Sequence, residues 1–253
     1  RDSTLPQASF SKMSLTRALP LLLLLAIGAA PGLVRSMPVE VATCGDCIWS
    51  VDEGLLMKND CEEAQCELGF HLLLNGQGIT SIDANAFKGG PMYNISKIDL
   101  GNNFLTELPE DVFSECSSVE WLYLNNNEIA AVAESTFAGV TKLGVLYLNH
   151  NELTTLPEDL LQNNRFIGIF NFNHNKVTHL PVGIFSGRTN MGVLNLHDNH
   201  IKQLPDGIFN DLTNLRVLNI YNNHFTNDDT HGTLSIGGKI FPAPTDPYGS
   251  VVG

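Results

Sequence analysis

The sequence contains few positively charged residues. Lysine and arginine together number 14, against 27 aspartate and glutamate residues, and the formal net charge is −13. Residues 1–36 carry a net charge of +3, so the remaining residues carry −16. Proteins that bind nucleic acids need a basic stripe to displace the counterions of the phosphates. We therefore exclude nucleic acids as partners.

The motifs of common catalytic and phosphate-binding sites are also missing. The sequence has no G-x-S-x-G, no H-E-x-x-H and no phosphate-binding loop. Several carboxylates lie in segments that we predict to be solvated return turns: Glu107, Glu110, Asp111, Glu158 and Asp159. We therefore predict a non-enzymatic protein with no catalytic residues and no cofactor.

Long apolar runs are scarce, and the one that stands out lies near the N-terminus. Residues 18–30 are apolar, follow Arg17 and precede a stretch of small residues. This pattern is typical of a secretory signal peptide, and the run is short for a bilayer span. An uncleaved anchor is the alternative. We predict that residues 1–36 are upstream residues plus a signal peptide, and that the mature chain is secreted or lumenal and does not span a membrane.

Asparagine recurs at a spacing of 24 residues through most of the chain. Each of these asparagines follows an apolar–polar–apolar triplet such as Leu122-Tyr123-Leu124, which indicates a short strand with one buried face. A fixed period in this range marks an architecture of stacked repeats. The asparagines are Asn103, Asn127, Asn151, Asn175, Asn199 and Asn223.

This frame resembles the leucine-rich-repeat family, in particular the 24-residue type of extracellular animal proteins. The pattern L-x-x-L-x-L-x-x-N-x-L-x-x-L-P-x-x-x-F covers residues 95–225, and a weaker copy with Gln77 at the asparagine position precedes it. The resemblance implies an α/β repeat solenoid. Such a solenoid is a horseshoe with a concave parallel sheet and a convex side of mostly irregular, short turns. It also implies that the asparagines form a hydrogen-bonded ladder and that the phenylalanines form a convex spine.

The resemblance divides the chain into four parts. Residues 1–36 are the leader, residues 37–71 a cysteine-containing N-terminal cap, residues 72–226 the repeats, and residues 227–253 a C-terminal tail or cap without cysteine. The tail either folds back over the last repeat or leaves that end for a partner to cover.

Four of the five cysteines lie together before the first repeat. In a secreted chain an even cluster indicates disulfides, with three possible pairings, although four thiolates also suit a zinc ion. We favour disulfides among Cys44, Cys47, Cys61 and Cys66. Cys116 occupies an apolar repeat position, so we predict a buried free thiol.

The residues between the buried strand positions should face the concave side, because successive side chains of a strand alternate. This face has few charges and is rich in asparagine, tyrosine, tryptophan and histidine, which suits protein recognition. We predict a hot spot at Trp121, Tyr123 and Tyr147; in the alternative, these residues only pack against one another. The full predicted ligand-binding set is Trp121, Tyr123, Tyr147, His150, Asn171, His174 and Asn195.

Histidines also line up in neighbouring repeats. His150 and His174 share one repeat position, and His197 and Asp198 follow. A bridging metal ion and pH-sensitive binding are both alternatives. Histidine is nevertheless an ordinary residue at such a turn, so we expect no metal. The single sequon, at Asn94, predicts a glycosylation site.

These features predict a secreted binding protein that recognises a protein or glycan ligand on the concave face. The family that it resembles includes receptor ectodomains and variable lymphocyte receptors. The alternative is a structural subunit of a larger extracellular or lumenal assembly.

Overall fold

The computed structural model describes residues 38–59, 61, 66–90 and 92–225, together with the backbone of three short strands beyond them. The predicted leader, residues 1–36, lies outside the described residues, as do the side chains of the predicted C-terminal tail.

The N-terminal cap is a small antiparallel sheet. Strands β1 (Val39–Cys44), β2 (Cys47–Asp52) and β3 (Leu55–Lys58) follow one another through tight hairpins. Both central residues of the second hairpin, Glu53 and Gly54, have positive φ, as a two-residue hairpin turn requires. A Cβ on Gly54 would lie 2.4 Å from Thr80 Oγ1, so glycine is needed there. These strands were not predicted from the sequence.

Two disulfides cross-link the cap. Cys44 pairs with Cys66 and Cys47 pairs with Cys61, with Cα–Cα distances of 5.2 and 5.1 Å. The disulfide prediction is therefore confirmed, and the zinc alternative is not realised. Trp49 is fully buried, and its indole N–H donates to Ala86 O at 2.8 Å, which joins the cap to the first repeat.

Among the described residues, the main sheet has eight strands, of which seven are parallel to one another. Neighbouring repeats pair in register, so that Leu122, Leu146 and Phe170 lie side by side. The remaining strands are β4 (Phe70–Leu73), β5 (Ser81–Ile82), β6 (Ile95–Asp99), β7 (Trp121–Tyr123), β8 (Val145–Tyr147), β9 (Ile169–Asn171), β10 (Val193–Asn195), β11 (Val217–Asn219), β12 (Thr233–Ile236), β13 (Lys239–Pro242) and β14 (Ser250–Val252). The spatial order of the main sheet is β14-β11-β10-β9-β8-β7-β6-β4, and the short β5 pairs with β3 of the cap.

The C-terminal strands correspond to one of the two alternatives for the tail, in which it folds back to the last repeat. β14 pairs antiparallel with β11 at the edge of the main sheet, while β12 and β13 form a separate hairpin. On the return side, the described residues form turns plus one short 3₁₀ helix, Met92–Asn94. The predicted horseshoe with a parallel concave sheet and short convex turns is confirmed.

One hydrophobic core runs through the repeats without a break. It extends from Cys44 in the cap to Ile220 after β11. On the convex side, the ring centroids of Phe87 and Phe113 are 5.3 Å apart, and those of Phe113 and Phe137 are 6.5 Å apart. Cys116 is buried and unpaired within this core, and burial, with Glu115 nearby, raises the pKa of its thiol to about 12.

The ladder asparagines connect each repeat to the one before it. Asn175 is buried, and its Nδ2 donates to Leu148 O at 2.9 Å and to Phe172 O at 3.2 Å. Its Oδ1 accepts from the Leu153 N–H at 3.1 Å. One side chain therefore satisfies backbone groups that the turns leave without partners. The same arrangement recurs at Asn103, Asn127, Asn151, Asn199 and Asn223.

Candidate functional site

The concave face is built from the outer positions of three-residue strands. In β7 to β11 the middle residue is buried and the two flanking residues are half-buried. The flanking side chains are held at the strand spacing by the parallel ladder, so residues at equivalent repeat positions form straight rows. Three such rows are described below: one of aromatic and amide side chains, one of glycines and one of histidines.

An aromatic cluster occupies the first half of the sheet. The rings of Tyr123 and Tyr147 are 4.9 Å apart, and Lys97 Nζ lies 4.5 Å above the ring of Tyr123. Trp121 meets His71 edge to face at 6.1 Å. Partial burial raises the pKa of Tyr123, and the neighbouring Tyr147 and Asp99 act in the same direction. The phenol of Tyr123 therefore stays protonated at physiological pH and can donate a hydrogen bond.

The second half of the sheet carries amides in place of aromatic rings. Asn195 Nδ2 donates to Asn171 Oδ1, and Asn219 Nδ2 donates to Asn195 Oδ1 at 2.6 Å. These side chains are held by one another across the strands, so a ligand would meet them as a preformed row. The structure places Asn171 and Asn195 in direct contact, and it places Tyr123 beside Tyr147.

A row of glycines, which we call the glycine groove, lines one edge of the concave face. Gly144, Gly168 and Gly192 recur at the 24-residue spacing, each immediately before a strand. Two open clefts of about 440 Å³ each lie along this row. The lining of the first includes Trp121, Lys142 and the exposed Phe166, and the lining of the second includes Asn190, Asn214 and Arg216.

Neither backbone geometry nor packing requires glycine in this groove. None of the three glycines has a positive φ, and a Cβ on Gly168 would meet its nearest atoms at 3.7 Å, an ordinary van der Waals distance. The Gly168 N–H donates to Gly144 O, and the Gly192 N–H donates to Gly168 O, both at 2.8 Å. The backbone of the groove is therefore already paired, and what the glycines provide is open space.

Gly139, on the return side, shows what a structurally required glycine looks like. A Cβ there would lie 2.4 Å from Phe113 O and 2.5 Å from the Ser114 backbone. This contrast indicates that the groove glycines serve the surface and not the fold. The glycine row was not predicted from the sequence, although its 24-residue spacing is visible there.

A histidine row lies beyond the opposite ends of the strands, in the turns that follow them. The rings of His150 and His174 stack at 4.2 Å, and those of His197 and Tyr221 stack at 4.5 Å. Partial burial lowers the pKa of His150, and the neighbouring His174 and His197 lower it further. His150 is therefore neutral at physiological pH. The glycine groove and the histidine row mark opposite margins of the concave face.

Asp198 is the carboxylate of this row. Partial burial acts to raise the pKa of Asp198, but hydrogen bonds from His197 and Asn222, with His174 nearby, outweigh it and lower that pKa. The carboxylate therefore carries its negative charge over the physiological range. The sequence shows that Asp198 follows His197, but the position of its carboxylate beside two imidazoles was not predicted.

Asn94, the predicted glycosylation site, lies just before β6 and is half-buried. Its Nδ2, the atom that would carry a sugar, donates to Cys66 O at 3.1 Å. A glycan attached to Nδ2 would replace one of its two hydrogens, so the remaining N–H would have to make the hydrogen bond to Cys66 O. Glycosylation stays a prediction.

The comparison with protein families agrees with the repeat geometry. The family model described as "Leucine rich repeat" matches residues 71–129, 117–165 and 169–229, which is more than half of the chain. The chain belongs to the leucine-rich-repeat family. Proteins of this family are typically non-enzymatic binding scaffolds, and the fold implies protein partners.

Two solved structures illustrate the likeness of this leucine-rich-repeat chain to known proteins. A leucine-rich-repeat protein of Leptospira interrogans aligns with a TM-score of 0.52 at 26% identity, over 58% of this chain and 36% of that one. A chain of the Toll–Spätzle complex of Drosophila aligns with a TM-score of 0.50 at 24% identity, over 60% of this chain and 23% of that one. This repeat chain thus spans about a third of the length of the Leptospira protein and about a quarter of the length of the chain from the Toll–Spätzle complex.

A comparison of this leucine-rich-repeat chain with curated protein sequences gives no significant match. Within the described part of the chain, we find no helix with the length and hydropathy needed to cross a bilayer. The two disulfides are consistent with an extracellular location.

Proposed function

We propose that this leucine-rich-repeat chain is a secreted, non-enzymatic binding protein whose concave face recognises a protein partner. The observation that supports this most is the glycine groove beside the aromatic cluster. Open space is kept there in three successive repeats although the fold does not need it. Aromatic side chains next to a cleft are the usual anchors of protein interfaces.

The position of the aromatic residues supports the same proposal. Trp121 lines the first cleft together with Val145 and Phe166, so its half-exposed ring offers apolar surface to a ligand. Phe166 is 63% exposed, so it adds accessible apolar surface beside the cleft. A partner that filled this cleft would bury both rings. A glycan ligand, the broader prediction, would stack on the same rings, so experiments must separate the two.

The repeats supply substitutions that test this surface without disturbing the fold. Later strands carry valine at the position of Trp121 and asparagine at the positions of Tyr123 and Tyr147. We expect Trp121→Val/Tyr123→Asn/Tyr147→Asn to weaken partner binding at least about 100-fold, since hot-spot residues each contribute about 2 kcal/mol or more. Affinity capture with residues 37–253, followed by surface plasmon resonance on the captured partner, measures this effect.

The matched control is Val182→Ala, which removes an exposed apolar side chain (67% exposed) from the return side. A partner held equally by the wild type and the triple variant would refute recognition by the aromatic cluster. Competition by free oligosaccharides would indicate a glycan ligand. A stable complex that co-purifies at native concentration would favour the alternative, a subunit of a larger assembly.

A second test addresses the glycine groove directly. Arg216 occupies the repeat position of Gly168, so Gly168→Arg places a natively accepted side chain in the groove. We expect the free energy of unfolding to change by less than about 1 kcal/mol, as for other surface substitutions. Because the side chain fills the space that the partner would enter, we expect affinity to fall at least about tenfold. Unchanged affinity for the partner would exclude the groove from the interface.

A further inference from the structure

Three ligand-type side chains converge in the histidine row. His174 Nε2 lies 3.4 Å from Asp198 Oδ2, and His197 Nδ1 lies 2.5 Å from the same oxygen. Among the residues that the structure describes, these form the one group of three His, Cys, Asp or Glu side chains whose ligand atoms all lie within 4.8 Å of one another. The three residues come from two neighbouring repeats, so the folded solenoid is needed to bring them together.

Surrounding residues hold this group in place. Asn222 Nδ2 donates to Asp198 Oδ1 at 2.8 Å, which leaves Oδ2 for the two imidazoles. The ring of His174 stacks on His150 with an interplanar angle of 14°, and the ring of His197 stacks on Tyr221 with an angle of 11°. Hydrogen bonds from outer residues, such as that of Asn222, orient metal ligands in proteins and raise their affinity for the ion.

The donor set selects a class of metal. Two imidazole nitrogens and one carboxylate oxygen suit Zn²⁺ and related transition-metal ions better than Ca²⁺ or Mg²⁺, which prefer oxygen ligands. Ligand atoms around a tetrahedral Zn²⁺ lie about 3.3 Å apart, given bond lengths of about 2.0–2.2 Å. The separation of His174 Nε2 and Asp198 Oδ2 already has this value.

His197 Nδ1 and Asp198 Oδ2 are closer together than two ligand atoms of one metal ion, so this pair must move apart. His197 Nδ1 and Asp198 Oδ2 share a hydrogen bond, and a bound metal ion would replace the proton between them, which widens the pair by about 0.8 Å. Both side chains are half-buried at the rim of the concave face, where such a movement meets solvent and not the core.

We propose that His174, His197 and Asp198 bind one Zn²⁺ ion at the rim of the concave face. Three protein ligands leave at least one coordination position open to water or to a donor group of a bound partner. The strongly acidic chain, with its formal net charge of −13, also favours a cation over a neutral ligand. The site is independent of the glycine groove and of the aromatic cluster.

Isothermal titration of residues 37–253 with ZnCl₂, after treatment with EDTA and its removal, tests the site. We expect saturable binding of one equivalent. Asparagine occupies the positions of all three ligands in other repeats, so His174→Asn, His197→Asn and Asp198→Asn keep the backbone conformation, including the positive φ of residues 174 and 198. Each variant should bind Zn²⁺ at least about tenfold more weakly.

Two further variants separate this site from nonspecific surface binding. Asn222→Gly keeps the positive φ but removes the amide that orients Asp198, and we expect a loss of about tenfold. His200→Ala alters another stacked pair, His200 and His224 at 4.8 Å, and should leave the affinity unchanged. Substitution by Co²⁺ should give absorption bands that the ligand variants lack. No saturable binding, or equal losses in His200→Ala and His174→Asn, would overturn the proposal.

Discussion

Replacing Asn175 with alanine should lower the free energy of unfolding by about 3–5 kcal/mol. The change removes a buried amide and leaves the Leu153 N–H without a partner. It also removes one of two amide donors from Leu148 O and from Phe172 O, which keep those of Asn151 and Asn199. The unpaired buried N–H costs about 1–3 kcal/mol, and each of the other lost hydrogen bonds contributes about 0.5–1.5 kcal/mol. Equilibrium denaturation in urea, with the disulfides intact, measures the effect.

Asn173→Ala is the matched control for this prediction. It changes the same residue type in the same repeat, but the Asn173 side chain is half-exposed, and only its backbone carbonyl takes part in the ladder. We expect a loss below about 0.5 kcal/mol, as for other surface changes. If Asn175→Ala and Asn173→Ala were equally mild, the ladder would not be a main source of cohesion between repeats.

The repeat core could be predicted because each buried position recurs. Leu122, Leu146 and Phe170 fill one position in three successive strands, and all three are fully buried. Repetition makes such a position visible in a single sequence, since unrelated constraints do not recur every 24 residues. The prediction of a parallel concave sheet came from the resemblance of this repeated frame to the leucine-rich-repeat family.

Features that occur once were harder to predict. The cap strands carry an alternation at Cys47, Trp49 and Val51, but without repetition this short signal did not stand out. Cysteine spacing does not determine pairing, so the Cys44–Cys66 and Cys47–Cys61 disulfides required the structure. The pairing of β14 with β11 joins segments about thirty residues apart, a contact that no local pattern encodes.

In the candidate sites, too, the recurring features could be predicted from the sequence and the single ones could not. The sequence placed His150 beside His174 because both occupy one repeat position, and their rings do stack. It did not show that Asp198 turns toward two imidazoles, because that orientation depends on a hydrogen bond from Asn222 in the next repeat. Side-chain direction is set by neighbours, and rows of residues alone do not determine it.

Phe137→Ala should destabilise the solenoid by about 3–5 kcal/mol, the usual cost of truncating a buried phenylalanine. Phe137 is fully buried, and its ring stacks on Phe113 at a centroid distance of 6.5 Å. The substitution leaves a cavity in the interior of the repeat array. It weakens the packing of this repeat against the preceding one, on whose contact the stability of both repeats depends. Thermal and urea unfolding of residues 37–253 provide the measurement.

The chain contains its own control for this position. Leu161 fills the equivalent place in the next repeat and is fully buried, so the fold accepts leucine there. We expect Phe137→Leu to cost less than about 1.5 kcal/mol, as for hydrophobic exchanges of similar volume. A large difference between the alanine and leucine variants would show that filled volume stabilises the convex side and that an aromatic ring as such is not required. Equal losses would mean that stacking between Phe113 and Phe137 is the dominant contribution.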